Sequence, residues 1–255
     1  MAYNIRRLTE QDLPVLTEFL HTVFHIRNHD KSSLVYWKYF HQYIRNNVEY
    51  GAFDGSRMVG HYANIPIPVR YGGLLVNAML CIDMATHPSY RGLGLISRLS
   101  ELVYRDVFCT PAVFSLGFSN SQGVRVDLNA RSYGYKVIGA FRSYGLIARR
   151  EKSPVTLTRI SAISSVPFSV PDGFISIHKS QEYLTWRYQD HPGSSYDIYE
   201  VSGESGKGHV VLRISRFRVD IIDIALSNMQ EYAVRDVIHA IQTIAAINRK
   251  HMVVN

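Results

Sequence analysis

The stretch Asp83-Met84-Ala85-Thr86-His87-Pro88-Ser89-Tyr90-Arg91-Gly92-Leu93-Gly94-Leu95 constrains this chain more than any other. An apolar run from Ala78 to Ala85 ends in His-Pro. An arginine and two spaced glycines follow, and then Leu95, Leu99, Leu102, Val103 and Val107 recur at helical spacing. The pattern predicts strand, tight loop, helix. Such a loop gathers backbone N–H groups at one spot, and the helix dipole adds partial positive charge, worth about 0.3–1 kcal/mol to an anion at an exposed terminus. The site suits phosphate or pyrophosphate. Glycine is wanted because a Cβ would crowd the ligand or forbid the loop dihedrals.

No Gly-Lys-Ser/Thr closes the loop, so it is not a Walker A sequence, and it lacks the Gly-x-Gly-x-x-Gly of dinucleotide sites. It resembles motif A of the GNAT acyltransferases (Gcn5-related N-acetyltransferases), Arg/Gln-x-x-Gly-x-Gly/Ala. Arg91 fits the first position and Gly94 the fourth; Ile96 departs from the small residue at the last. A branched side chain there is expected to narrow the pyrophosphate pocket or to shift the helix start. The sequence that follows, a strand at Ala112–Phe118, then Phe118-Ser119-Asn120 and Arg131-Ser132-Tyr133-Gly134-Tyr135, is also similar to GNAT chains after motif A. The resemblance implies that Arg91, Gly92, Leu93, Gly94, Leu95, Ile96 and Ser97 hold the pyrophosphate of acetyl-coenzyme A. It also implies that the backbone of Met84, Ala85 and Thr86 takes the pantetheine arm. Asn120 matches a cofactor-touching position and also suits a helix cap.

The remaining pattern gives the fold class. Tyr3–Leu8 reads as a strand, with Thr9 capping a helix whose stripe is Leu13, Leu16, Leu20 and Val23. A second helix is predicted near Ser32–Ile44. Strands follow at Val48–Phe53, Met58–Tyr71 and Leu74–Thr86, with turns at Asp54-Gly55 and Tyr71-Gly72-Gly73. The order is that of the GNAT fold, an α/β (α+β) architecture with a mostly antiparallel mixed sheet flanked by helices. Residues 1–150 are expected to complete one such domain.

Both tryptophans sit in one kind of tripeptide, Trp37-Lys38-Tyr39 and Trp186-Arg187-Tyr188, each eight residues after a histidine, His29 or His178. Gly60-His61-Tyr62-Ala63 likewise matches Gly208-His209-Val210-Val211. The near-constant offset reads as an internal repeat. Residues 151–173, rich in Pro, Ser and Thr, read as a linker, and 174–255 as a degenerate half copy. That copy has predicted strands at Gly208–Ser215 and Arg218–Leu226 and a helix over Gln230–Arg249. The junction before its helix, Leu226-Ser227-Asn228-Met229, has no glycine loop, so one cofactor site per chain is expected.

Transfer from a thioester to an amine needs a proton acceptor, a donor to the developing oxyanion, and positioning. The resemblance places the oxyanion donor on the backbone of Met84 or Ala85. Asp83, a carboxylate in an apolar strand, is the base candidate, with burial expected to raise its pKa. The equal alternative is a hydrogen bond to the neighbouring strand or to Arg91. His61 and Tyr62 are weaker candidates. The family's acid position is Ala130, which cannot serve, and Tyr133 lies a turn away.

Composition narrows the rest. With 46% hydrophobic and 19% charged residues the chain is globular. No apolar run approaches the roughly 20 residues that span a bilayer. No signal-type core follows the N-terminus, so no membrane role and a cytoplasmic location are expected. Two cysteines, Cys81 and Cys109, make no disulfide framework and are expected to pack in the core. The net charge of +7 suits an anionic cofactor; scattered basic residues and no zinc-finger or RNP pattern argue against nucleic acid. No metal is expected. The leading reading is an acetyl-coenzyme A-dependent N-acetyltransferase acting on a small-molecule amine, with an amino sugar or sugar nucleotide favoured by analogy to tandem GNAT proteins. The alternative is a non-catalytic coenzyme A-binding or regulatory protein. A homodimer is left open.

Overall fold

The computed structural model describes residues 3–25, 31–71, 73–120, 123–124, 134–166, 174–204, 206–227 and 229–254. The chain divides into two units, one formed by Met1–Gly139 with Asp172–His178, the other by Ala140–Pro171 with Lys179–Asn255.

The first unit is built on a 6-stranded sheet in the order β1-β2-β3-β4-β5, with β8 also on β3. Its strands are β1 Asn4–Arg7, β2 Val48–Asp54, β3 Arg57–Tyr71, β4 Leu74–Thr86, β5 Phe114–Gly117 and β8 Ile175–Ile177. All neighbours are antiparallel except β4 and β5, which are parallel and joined through helix α3, Leu95–Val107. The α3 stripe predicted from the sequence carries Leu95, Leu99, Val103 and Val107 into the core against Val48, Val59 and neighbouring residues of the sheet. Helix α1, Leu13–Phe24, buries Leu16, Phe19 and Leu20. Its entry is fixed by Asp12, whose carboxylate accepts from the Thr9 N–H at 3.0 Å and pairs with Arg6 at 2.5 Å. Arg6 chiefly, opposed by burial, holds the Asp12 carboxyl down at about 2. Helix α2 spans Lys31–Tyr39 and stops five residues short of the sequence expectation. The amides of Phe40 and His41 both donate to the Tyr36 carbonyl, so the ladder closes on itself there.

The second unit has a 6-stranded sheet in the order β6-β12-β11-β10-β9-β7. These are β6 Tyr144–Leu146, β7 Val155–Ile160, β9 Asp197–Gly203, β10 Gly208–Ile214, β11 Arg218–Leu226 and β12 His251–Val254. Helix α4, Gln181–Leu184, runs on as a π turn through Thr185–Gln189, and α5, Glu231–Ile247, connects β11 to its parallel neighbour β12. Read from β7, the sheet has antiparallel, antiparallel, antiparallel and parallel neighbours, as the first sheet has from β1. Its core joins Val210, Leu212 and Val219 to Val237, Ile241 and Ala245 of α5.

Two expected boundaries change. Residues 151–173, read as a linker, contain β7: Val155 and Leu157 turn inward while Thr156 and Thr158 are exposed, and this period-2 alternation outweighs the turn-rich composition. Residues 1–150 do not close a domain either, because β6 forms its ladder with β12 in the second unit.

Candidate active site

The glycine loop lies where the sequence places it. After β4, Pro88–Tyr90 makes a single 3-10 turn, the loop is exposed, and α3 begins at Leu95 with Gly94 as its cap. Gly92 and Gly94 have φ of 79° and 70°, which an L side chain adopts only at a cost. A Cβ on either would meet nothing within 4 Å, so the approach to their backbone is open. Among the described residues no protein carbonyl accepts from the amides of Gly92, Leu93, Gly94, Leu95, Ile96 or Ser97. Ile96, the second residue of α3, is half-buried and packs against the core cluster that the helix covers.

Beside the loop the sheet opens. The β4–β5 ladder runs from Ala78↔Phe114 to Cys81↔Gly117, while β4 continues to Thr86. On that side Met84, Ala85 and Thr86 have no strand partner among the described residues. Asn120, just beyond β5, accepts from the Gly123 N–H at 2.8 Å. Ala130, the family's acid position, and the nearby Tyr133 fall outside the described residues.

Asp83 sits at an irregularity in β4. The register passes from His61↔Ala85 to Ala63↔Ile82, so Asp83 and Met84 together face Tyr62 in a β-bulge. Asp83 has φ 48°, a left-handed backbone that costs a non-glycine residue about 1–3 kcal/mol and persists only where the surroundings over-determine it. Its surroundings do so. Lys38 Nζ donates to Oδ2 at 2.7 Å, Tyr39 OH donates to the same oxygen at 2.5 Å, and the Asp83 carbonyl accepts from His61 Nδ1 at 2.8 Å. Behind His61, Nε2 meets Glu49 Oε1 at 3.0 Å, and both side chains are buried.

This geometry reverses one expectation. Burial does push the Asp83 carboxyl up, but Lys38 and Tyr39 outweigh it and hold the carboxyl below its ordinary range. The group is a weak base, ionised throughout the neutral range. Tyr39 keeps its proton, raised well above the ordinary value by burial and then by the charges of Asp83 and Glu49. Tyr62 is no base: burial drives its hydroxyl far up, and it bonds Tyr104 OH at 2.6 Å. Cys81, at the last β4–β5 pair, lies 3.0 Å from Tyr135 OH and 3.1 Å from Tyr104 OH. Cys109, expected in the core, is exposed at the end of α3.

The residues that sequence reasoning missed are Lys38, Tyr39 and Glu49. Each left a signal. Lys38 and Tyr39 belong to the repeated Trp-containing tripeptide, and Glu49 is a carboxylate inside an otherwise apolar run, Val48–Phe53.

The model of the acetyltransferase (GNAT) domain matches residues 4–138, more than half of the sequence. The chain belongs to the GNAT family. No curated protein matches it closely enough to count as a relative. Among solved structures, a probable N-acyltransferase from Enterococcus faecalis V583 is similar over 100% of this chain and 65% of its own, with 14% identity and a TM-score of 0.71. A GCN5-related N-acetyltransferase from Anabaena variabilis is similar over 99% of this chain and 65% of its own, with 12% identity and a TM-score of 0.69. Eis1 from Mycobacterium abscessus shares 13% identity at a TM-score of 0.59, again with 65% of its length covered. The GNAT chain described here thus spans about two thirds of the length of these structures, and identities this low speak for the fold alone. Members of the family use acetyl-coenzyme A, and the open cradle at Gly92 and Gly94, followed by a helix N-terminus, fits its pyrophosphate. Among the described residues no helix is long and apolar enough to cross a membrane, and no group of three or more His, Cys, Asp and Glu is placed for a metal ion.

Proposed function

We propose that this chain transfers the acetyl group of acetyl-coenzyme A to the amine of a small molecule. The observation that carries the reading is the left-handed glycine pair, whose amides meet no protein carbonyl among the described residues, set beside the opening between β4 and β5. In this reading Arg91 to Ser97 hold the diphosphate, Met84, Ala85 and Thr86 take the pantetheine arm, and Asn120 borders it. The Met84 amide donates to the thioester carbonyl, and acetyl-coenzyme A supplies the activated acyl group. Asp83, held ionised and paired with Lys38, anchors the turned strand beside the cleft rather than serving as base, and water takes the amine proton. Tyr135, whose hydroxyl burial keeps protonated, offers a hydrogen bond to the departing sulfur.

An amino sugar or sugar nucleotide is the proposed acceptor; the net charge of +7, which steers anions, suits the sugar nucleotide. Two cysteines outside any disulfide fit a reducing, cytoplasmic setting. The second unit is proposed to be a worn copy of the first. Support comes from the matching strand order and from Tyr188 and Lys179, which hold Asp223 as Tyr39 and Lys38 hold Asp83.

The test is thermal. Acetyl-coenzyme A at 100 times its Kd should stabilise the wild type by about 2.7 kcal/mol, and Gly94→Val should lose the shift. An unchanged shift in the variant moves the cofactor elsewhere. The clamped, weakly basic Asp83 favours a second reading, binding without turnover. Thiol release at background across an amine panel, with the thermal shift intact, would select it.

A further inference from the structure

The acyl-transfer reading above leaves a buried pair without a task. Glu49 on β2 is 3% exposed and His61 on β3 is 0% exposed. Two such groups stay inside a sheet only if their polar atoms are satisfied. His61 faces an acceptor on each side. The Asp83 carbonyl can only accept, so Nδ1 carries a hydrogen; the Glu49 carboxylate faces Nε2, so one further proton is shared between them. The rings of Phe19 and Tyr39 enclose the imidazole, and Lys38 and Asp83 are the other charges nearby.

The carbonyl that His61 grips belongs to the peptide unit whose N–H is that of Met84. A trans peptide is planar, with its C=O and N–H pointing in opposite directions. Fixing the Asp83 oxygen therefore fixes the direction of the Met84 hydrogen. Donation to the oxygen also polarises the amide and strengthens the N–H as a donor.

The second unit supplies a contrast. His209 pairs with Ala225 as His61 pairs with Ala85, and Asp223 is held by Tyr188 and Lys179. The register position of Glu49, however, is taken by Ile198: Glu49 faces Ala63, two residues after His61, and Ile198 faces Val211, two after His209. His209 Nδ1 has no hydrogen-bond partner among the described residues, its Nε2 lies 3.9 Å from Asp223 Oδ2 rather than against a backbone carbonyl, and Asp223 is not left-handed. The unit that lacks the glycine loop thus keeps the aspartate clamp and lacks both the histidine relay and the turned peptide. The relay is not needed to build the sheet.

We propose that Glu49 and His61 are positioning residues for acyl transfer. Their relay, Glu49 to His61 to the Asp83 carbonyl, aims and polarises the Met84 N–H at the thioester oxygen.

The experiment uses the full chain with [1-13C]acetyl-coenzyme A and isotope-edited infrared difference spectra of the bound carbonyl. His61→Asn keeps a donor one bond from Cγ, where Nδ1 is. His61→Gln keeps the reach toward Glu49 and loses the Asp83 oxygen. The wild type should lower the carbonyl frequency relative to free acetyl-coenzyme A, His61→Asn should retain most of that shift, and His61→Gln should lose it. In turnover His61→Gln should lower kcat by about 10²–10³-fold, the scale of one oxyanion donor, with KM for acetyl-coenzyme A little changed. Glu49→Gln should give a carbonyl frequency between the wild-type and His61→Gln values. A wild-type frequency in His61→Gln overturns the proposal; if that variant does not fold, a wild-type frequency in Glu49→Gln does so. Absence of any acetyl-coenzyme A thermal shift in the wild type would instead defeat the acyl-transfer reading on which this one rests.

Discussion

At Asp83 a single residue combines an unfavourable backbone with a carboxylate whose Oδ2 accepts from both Lys38 and Tyr39. The depressed carboxyl sets the pH behaviour. Its folded pKa lies below the ordinary value of 3.8, so its charge is present through the neutral range and is lost only in acid. The kcat/KM profile should show no ionisation from Asp83 between about pH 5 and pH 8. Asp83→Asn, which tolerates the left-handed region, should lower the rate without changing the profile's shape. A wild-type inflection near neutrality that vanishes in Asp83→Asn would restore the carboxylate as proton acceptor. Tyr135→Phe belongs to the same scale: it should cost kcat up to the 10²-fold lower end of general acid effects, read as a pre-steady-state rate with acetyl-coenzyme A.

The elements around the site are held by end effects as much as by packing. The loop into α3 needs φ of 79° and 70° at Gly92 and Gly94, so a valine at Gly94 should cost about 1–2 kcal/mol of stability in addition to ligand binding. At the start of α1, Asp12 links Arg6 of β1 to the Thr9 amide. The folded pKa of about 2 lies below the ordinary 3.8, so the contribution is complete above the higher value and is lost as pH falls through the lower one. Asp12→Asn should therefore lower the unfolding free energy at neutral pH by about 1 kcal/mol, the worth of a cap, read from urea unfolding. The gap should close as the pH drops from about 4 to about 2; a gap that persists in acid would remove Asp12 from this role.

For the whole molecule, two sheets of like order carry only one glycine loop between them among the described residues. Calorimetric titration should give one acetyl-coenzyme A per chain, and a value of two would put a site in the second unit. Ile241, fully buried in the second unit's core, offers the complementary test. Ile241→Ala should cost about 2–5 kcal/mol while leaving the free energy gained from acetyl-coenzyme A in the native state unchanged. A matching loss of ligand affinity would tie the two units together in binding.

Local chemistry along the chain was enough to specify the strand, loop and helix of residues 74–107, because periodicity, His-Pro and spaced glycines all act over a few residues. The same holds for α5 and β11, whose ends lie within a few residues of the sequence expectation. Only tertiary structure decided the rest. The ladder partners of β6 and β8 depend on strands far away in sequence, so the apparent domain and linker limits moved. The Asp83 carboxyl goes down rather than up because Lys38 and Tyr39, more than forty residues earlier, meet it in space. Glu49 joins His61 for the same reason: electrostatics follows distance through the fold, and a sequence records only distance along the chain.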